Sequence, residues 1–547
     1  MKTTSTLRAF ILSGCLFYSG GAAVLAETTF TVKADEVIGP NTRFWQAAGH
    51  DYLFHLVHQP MGQLLLDEAE KHQSLRYFRT HFTFDKTRRD RDLPGITVGG
   101  DVAEIRRDGS VVYDFSRVNN TFHEYVKRGM KPIIEFGFFP EGYARDFGPA
   151  REDDRGGDHE REAVPRDWGQ WEALQRAFML NLEKEFGKAE LKTWYFEVWN
   201  EPDQWPAEHV DVFLRMYDLF AAVVKSFDSE YKVGGPGAYT PVFLDKFLRH
   251  VQHGTNFVTG EKGSPLDFVS YHLYGISGTW VQSEASIYPR VSYFNRHLRW
   301  IERILGEYPK GEEAEFHLNE WGLASRFRRG VDRFPELEYR NNHVSPLFLV
   351  KLVDQLYALA DEGVIKTDLL LYWGFSWEAE RERMFWGNRE LLTGGGVKKP
   401  ILSGFEMLGR LRDDRLSVKG PPSGGRIGIL PTREGDRIAI LLYNYEESDD
   451  ALDRIDSVEV VIEGLRKVDT LAWTAKVLDE KRNNSYARWL SAGRPEAKSV
   501  GPDQAAEWGR IEVVEKGEVS VSKRSARITI PMKRHSMALL EIVLESN

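Results

Sequence analysis

Eight short β-rich runs recur along this chain, at residues 43–49, 74–82, 131–138, 194–202, 231–237, 268–275, 315–322 and 369–376. They are largely continuous apolar runs rather than strictly alternating ones, as expected of strands covered on both faces. Between most of them lie amphipathic stretches, such as WEALQRAFMLNLEKEF at 171–186 and PLFLVKLVDQLYALADEG at 346–363, whose apolar residues return at helical spacing. Buried strands alternating with helices make parallel βα units, and eight such units predict an α/β fold, a (β/α)8 TIM barrel, over residues 27–411. A chain of 547 residues has room for more than one domain.

From residue 412 the texture changes to short alternating runs separated by turns: RIGILP, RIAILLYNY, VEVVIEGL, TLAWTAKVL, ARITIPM and MALLEIVL. No helical period is evident there, and a β-sandwich accessory domain is expected over 412–547, with the early run TTFTVKA at 28–34 a candidate to join it. Trp473, Trp489 and Trp508 within it are either packing residues or, if exposed, platforms for polysaccharide.

At the N-terminus, Lys2 and Arg8 precede the apolar run AFILSGCLFYSGGAAVL, and VLA precedes Glu27. This is the pattern of a secretory signal over residues 1–26, cleaved after Ala26, and implies a secreted or periplasmic protein. LSGC ending at Cys15 also has the form of a bacterial lipobox, which makes a lipid anchor the alternative. Cys15 is the only cysteine, so the cleaved chain would have no disulfide, thiol nucleophile or cysteine metal site. No later run is long and apolar enough for a membrane span. The net charge of −10 argues against a nucleic-acid partner.

The strand runs end in polar and aromatic residues: Thr80-His81, Asn200-Glu201, His272, Asn319-Glu320 and Ser376-Trp377. In this fold the C-terminal strand ends carry the active site. FEVWNEPD at 196–203 therefore reads as a strand that fills the barrel and then changes character where it meets the solvent-filled mouth. Glu201 would face a cleft, with Trp199 and Trp205 helping to keep it protonated as a general acid. HLNEWG places Glu320 at the mouth of the seventh strand, across the barrel from the fourth. Two carboxyl groups about 5–5.5 Å apart would let Glu320 attack an anomeric carbon while Glu201 protonates the leaving oxygen, with retention of configuration. A single glutamate at a strand end is ordinarily an ion-pairing residue; the pair, each preceded by Asn, points to catalysis.

WNEPD after a strand, with a second Glu near 320, resembles glycoside hydrolase family 39, in the clan of barrels with acid and nucleophile on strands four and seven. RTHF at 79–82, GGPG at 234–237, HGTNFVTGE at 253–261 and DFVSYHLYG at 267–275 extend the resemblance over about residues 40–410. It implies a retaining O-glycosyl hydrolase with Glu201 as acid/base and Glu320 as nucleophile. By the same likeness Asn200 partners the sugar 2-hydroxyl, His81 and His272 line the glycone pocket, and Tyr274, Trp321 and Trp377 are substrate-binding candidates.

Family members of this kind include β-xylosidases and α-L-iduronidases. GGPG and HGTNFVTGE look most like the iduronidases. Tyr274, however, stands where those enzymes carry a lysine that helps hold a uronate carboxylate, and the segment WGFSWEAERERMFWGNRELLTGGGVKKP looks more like the xylosidases. The reading favoured is an exo-acting β-xylosidase-like enzyme on plant or algal oligosaccharides. A uronic-acid substrate, met by Arg381, Arg383 or Arg389, is the runner-up. A carbohydrate-binding protein that has lost catalysis would be expected to have lost one carboxylate, and both are present. No HExxH, closely spaced His pair or calcium loop occurs, and no cofactor or metal is expected. The polar loops at 83–95 and 144–162 are solvated surface or walls of the cleft.

Overall fold

The computed structural model describes residues 24–85, 88–89, 97–146, 163–275, 289–325, 330–448 and 454–544. The signal segment up to residue 23 with Cys15, and most of the two polar loops, lie outside the described residues.

Eight parallel strands close into a barrel. They are β1 (Ala47–His50), β2 (Tyr77–Thr80), β3 (Lys131–Phe136), β4 (Tyr195–Val198), β5 (Lys232–Ala238), β6 (Phe268–Tyr274), β7 (Glu315–Gly322) and β8 (Leu369–Trp373). Each falls within or against its expected run. A helix follows each strand in turn: α1 (Pro60–His72), α2 (Ser116–Val126), α3 (Trp168–Phe186), α4 (Val210–Phe227), α5 (Pro241–His253), α6 (Val291–Gly306), α7 (Val344–Asp361) and α8 (Pro400–Gly409), with shorter turns between them. Outward-facing strand residues and the apolar faces of these helices form the main core. Inside the barrel, Ala47, Ile133, Tyr195 and Phe268 fill the floor.

 Leu369, Leu371 and Trp373 complete that floor with them, and His317 stacks on Phe268 there with ring centroids 4.6 Å apart. Gly49 is required beside Trp373, because a Cβ at that position would lie 2.3 Å from the indole.

The C-terminal region is sheet-rich, as expected, but its strands form one continuous nine-stranded sheet. All six expected runs are strands, joined by Asp414–Lys419 and Glu515–Ser520. The N-terminal strand Val24–Pro40 sits inside this sheet, antiparallel to Asp414–Lys419 and parallel to Ile455–Glu463. Its register shifts between Lys33 and Gly39, so one bulged strand serves both neighbours. Side chains from the two halves of the sheet share a single core that includes Phe30, Val32, Ile440, Val460, Ile528 and Leu540.

The sheet is anchored on α7, where Asp354 Oδ2 accepts from the Tyr443 hydroxyl at 2.7 Å and from the Gly424 N–H at 2.8 Å. Two helices, Ser485–Ser491 and Pro502–Trp508, interrupt the region where no helical period was evident. At seven residues each they are too short to display one. They pack against the segment that follows β8: Trp489 and Trp508 join a cluster with Met384, Phe385 and Val397, while Trp473 lies in the sheet core. Packing accounts for all three tryptophans.

Candidate active site

β4 ends at Val198, and the next residues are folded tightly. Trp199 and Glu201 both take left-handed backbone conformations, with φ of 57° and 47°. Such conformations cost non-glycine residues about 1–3 kcal/mol each and persist where the surroundings enforce them. Pro202 disfavours a right-handed helical conformation at Glu201 and starts the short turn Pro202–Gln204. The Glu201 N–H donates to the Gly237 carbonyl at 2.9 Å. Trp199 is packed edge-on against Phe138 and Trp205, with centroids 5.0 and 5.5 Å away. The aromatic cluster thus holds the backbone of the turn, while the Glu201 side chain remains 20% exposed.

Glu320 reaches the same space through a bulge. Tyr271 pairs with Leu318 and His272 with Glu320, so β7 has one residue more than β6 at this point. His317 and Asn319 face the interior by the twofold alternation of a strand; the bulge turns Glu320 inward as well. Trp321 is then directed outward. It is fully buried, stacked on Phe348 of α7 at 6.1 Å and edge-on to Tyr372. The expectation that Trp321 binds substrate is therefore corrected: its ring belongs to the core between barrel and helices.

The two glutamates meet across His272. His272 Nδ1 lies 2.8 Å from Glu201 Oε1 and 3.5 Å from Glu320 Oε2. The three ligand atoms lie within 4.8 Å of one another, an arrangement that could also hold a metal ion. Burial lowers the pKa of His272, which favours the neutral imidazole. Burial raises that of the Glu320 carboxyl; His272 opposes the rise, the Glu201 charge adds to it, and Arg389 and Arg79 oppose it.

Tyr274, two residues beyond His272 on the same face of β6, donates its hydroxyl hydrogen to Glu320 Oε1 at 2.5 Å. Arg389 Nη1 in turn donates to that hydroxyl at 3.0 Å. Arg389 is buried, whereas Arg383 is exposed and stacks over Trp386. Of the three arginines considered from sequence, Arg389 thus belongs to this cluster and Arg383 to the outer surface.

Beneath the pair lies an ionic layer built from strand interiors. Arg79 of β2 donates through Nε to Glu197 at 2.6 Å and through Nη2 to Glu135 at 3.2 Å and to Asn200 Oδ1 at 3.0 Å. Its Nη1 is 3.6 Å from Glu320 Oε2. Asn319 Nδ2 donates to Glu197 Oε1 at 2.5 Å. Glu135 and Glu197 are register neighbours on β3 and β4, and the guanidinium between them offsets their repulsion. Of these residues, Arg79, Glu135 and Glu197 were given no role from the sequence. A signal was present: Arg79, Glu135 and Glu197 interrupt runs that must otherwise be buried, and buried charges require partners.

The remaining candidates line the neighbouring wall. His81 is buried, its Nδ1 bonded to Glu135 and its Nε2 3.7 Å from Asp51, with the ring centroid 4.5 Å from that of Trp373. His50 Nε2 lies 3.1 Å from Glu378 Oε1. Trp377 is buried in the apolar core near the end of β8 and presents no open platform. Asp203 is bonded at Oδ2 by the N–H groups of Tyr239 and Thr240, and its pKa rises to about 6 through burial and then the Glu201 charge.

Comparisons with known proteins bear on the family and the fold. The family model "Glycosyl hydrolases family 39" matches residues 29–523. A beta-xylosidase of Caldicellulosiruptor saccharolyticus is 23% identical over 447 residues, covering 80% of this chain and 84% of its own. The alpha-L-iduronidase of Mus musculus is 22% identical over 533 residues, covering 90% and 76%. Among solved structures, a monomeric beta-xylosidase from Caulobacter crescentus CB15 superposes with a TM-score of 0.74 at 20% identity, covering 95% of this chain and all of the other.

Proposed function

Since the chain belongs to glycosyl hydrolase family 39 and is an O-glycosyl hydrolase, we propose that it is a retaining, exo-acting enzyme in which Glu320 is the nucleophile and Glu201 the acid/base. The observation that carries this reading is the approach of a Glu201 oxygen and a Glu320 oxygen to within 4.8 Å across His272. Retaining pairs stand about 5–5.5 Å apart, whereas inverting pairs need about 6.5–9.5 Å to admit a water.

In the first step a Glu320 oxygen bonds to the anomeric carbon as the glycosidic C–O bond breaks, and Glu201 gives its proton to the departing oxygen. In the second, Glu201 takes a proton from water, the water oxygen bonds to the anomeric carbon, and the ester to Glu320 breaks. Two inversions give net retention. Arg79 and the Tyr274 hydroxyl favour the ionised Glu320 that attack requires, against the burial that opposes it. His272, whose neutral form burial favours, touches both carboxyl groups. The Asn200 oxygen is committed to Arg79, which leaves its Nδ2 hydrogens to donate to the sugar 2-hydroxyl. His81 forms the closed side of the glycone pocket, and Trp377, buried in the core, takes no part in it.

A neutral glycone such as xylose fits the charge balance. Glu135, Glu197 and Glu320 surround Arg79, Asp51 and Glu320 face Arg389, and Glu201 and Asp203 add two further carboxyl groups beside them. A uronate carboxylate would add an anion to an acidic pocket. Arg389 beside Tyr274 is the observation that favours the second reading, a uronic-acid glycan, since its guanidinium could meet such a carboxylate. Residues 1–26 support export of the enzyme, with release after Ala26.

The test is hydrolysis of aryl β-D-xyloside, β-D-glucoside, β-D-galactoside, α-L-arabinoside and α-L-iduronide, with product anomers followed by proton NMR. Rapid xyloside cleavage with retention is expected. Cleavage of the iduronide alone would replace the neutral glycone by the uronate, and an inverted first product would overturn the double displacement.

A further inference from the structure

Tyr239 is an exposed aromatic residue held rigidly beside the acid. It is 40% exposed, yet its backbone is fixed from both sides. Its N–H donates to Asp203 Oδ2 at 2.9 Å, and its carbonyl accepts from the Tyr271 hydroxyl at 2.7 Å. Thr240 N–H donates to the same Asp203 oxygen at 2.8 Å. Gly237, whose carbonyl accepts from the Glu201 N–H, is two residues away, at most about 7–8 Å along the chain. Gly237 itself has a φ of 60° and occupies a bulge of β5, which brings the following residues round toward the β4 turn.

The electrical environment agrees with this placement. Partial burial raises the Tyr239 phenol to about 12, and the charges of Asp203 and Glu201 add to the rise. Core packing does not explain a ring with this much surface, and the two backbone anchors distinguish it from a loose surface residue. A flat ring held in place binds a sugar face at little cost in conformational entropy.

We propose that Tyr239 is the platform of the leaving-group subsite, stacking on the C–H face of the sugar whose oxygen Glu201 protonates, and that Asp203 is the positioning residue that holds it there. The assignment rests on the acid role of Glu201: the acid serves the departing side of the scissile bond, so an aromatic ring next to it meets the aglycone. The glycone lies on the other side, against Glu320 and Tyr274. The ligand is a pyranose ring joined through its hydroxyl to the cleaved residue.

The experiment compares two leaving groups on one glycone in the full chain. Xylobiose offers a sugar to stack on; β-xylosyl azide leaves as an anion with no ring and little need of a proton. For Tyr239→Ala, the ratio of kcat/KM on xylobiose to that on the azide is expected to fall roughly tenfold, mainly through KM. Tyr239→Phe should keep the ratio within about twofold of wild type, because the ring remains. An unchanged ratio in Tyr239→Ala, or an equal loss in Tyr239→Phe, would overturn the platform. If wild-type enzyme turns over neither xylosyl compound, it is the neutral-glycone reading that fails. The same ratio, taken on the sugar that is cleaved, then decides the role of Tyr239.

Discussion

The Tyr274 hydroxyl donates to Glu320 at 2.5 Å while itself accepting from Arg389 at 3.0 Å, so the proposed nucleophile is tied through one phenol to a buried guanidinium. Removing the phenol oxygen by Tyr274→Phe deletes a hydrogen bond to a charged group, worth about 1.5–3 kcal/mol. A fall in kcat of roughly 10- to 150-fold is expected. Burial already raises the Glu320 pKa, and loss of this donor should raise it further. The acid limb of the pH–rate profile should therefore move to higher pH. An unmoved limb would show that Tyr274 does not tune Glu320.

The two glutamates should separate by leaving group. Glu201→Gln should cripple turnover of natural oligosaccharides but spare the first step on aryl glycosides whose leaving groups need no proton. Glu320→Ala should abolish turnover on every substrate. Equal losses on both substrate types in Glu201→Gln would remove it from the acid role, and retained activity in Glu320→Ala would move the nucleophile elsewhere.

Asp203 should leave a signature in stability. Its folded pKa is about 6 against an ordinary 3.8, so it binds its proton more tightly in the folded state. Below pH 3.8 both states are protonated and the stabilisation is fully present; it is lost as pH rises through 6, by up to about 3 kcal/mol. Asp203→Asn cannot titrate but keeps an oxygen for the Tyr239 and Thr240 amides. Denaturant midpoints of the two proteins should thus shift in favour of the variant between pH 4 and 6. A flat difference over that range would contradict the raised pKa.

Trp321→Ala tests the outward orientation. Removing a fully buried indole stacked on Phe348 should cost about 3–5 kcal/mol of stability. KM of the protein that remains folded should change little; a large rise in KM without loss of stability would return Trp321 to the substrate cleft.

The barrel was legible because strands covered on both faces leave continuous apolar runs, and Glu201 and Glu320 because each ends such a run abruptly. Trp321 was misplaced because the bulge at Asn319 changes the parity of β7, and a bulge leaves no mark on composition. Arg79, Glu135 and Glu197 passed unnoticed because single charges within strands of different units reveal their partnership only after the barrel closes. Tyr239 was equally invisible: its role depends on Asp203, 36 residues earlier, reaching its amide. In the C-terminal region the alternating runs marked six strands, while two strands and two seven-residue helices fell below the length at which a period shows.

The strand Val24–Pro40 lies between partners that begin at Asp414 and Ile455. During synthesis it emerges before the barrel and must wait, with both edges unpaired, until the whole barrel has been made. Cutting the chain near residue 412 to isolate the barrel would strand that segment with neither neighbour, presenting two open edges to other chains. The strand that precedes the barrel in sequence and the sheet that follows it are thus stitched together, so the catalytic unit is enclosed between two segments that depend on each other.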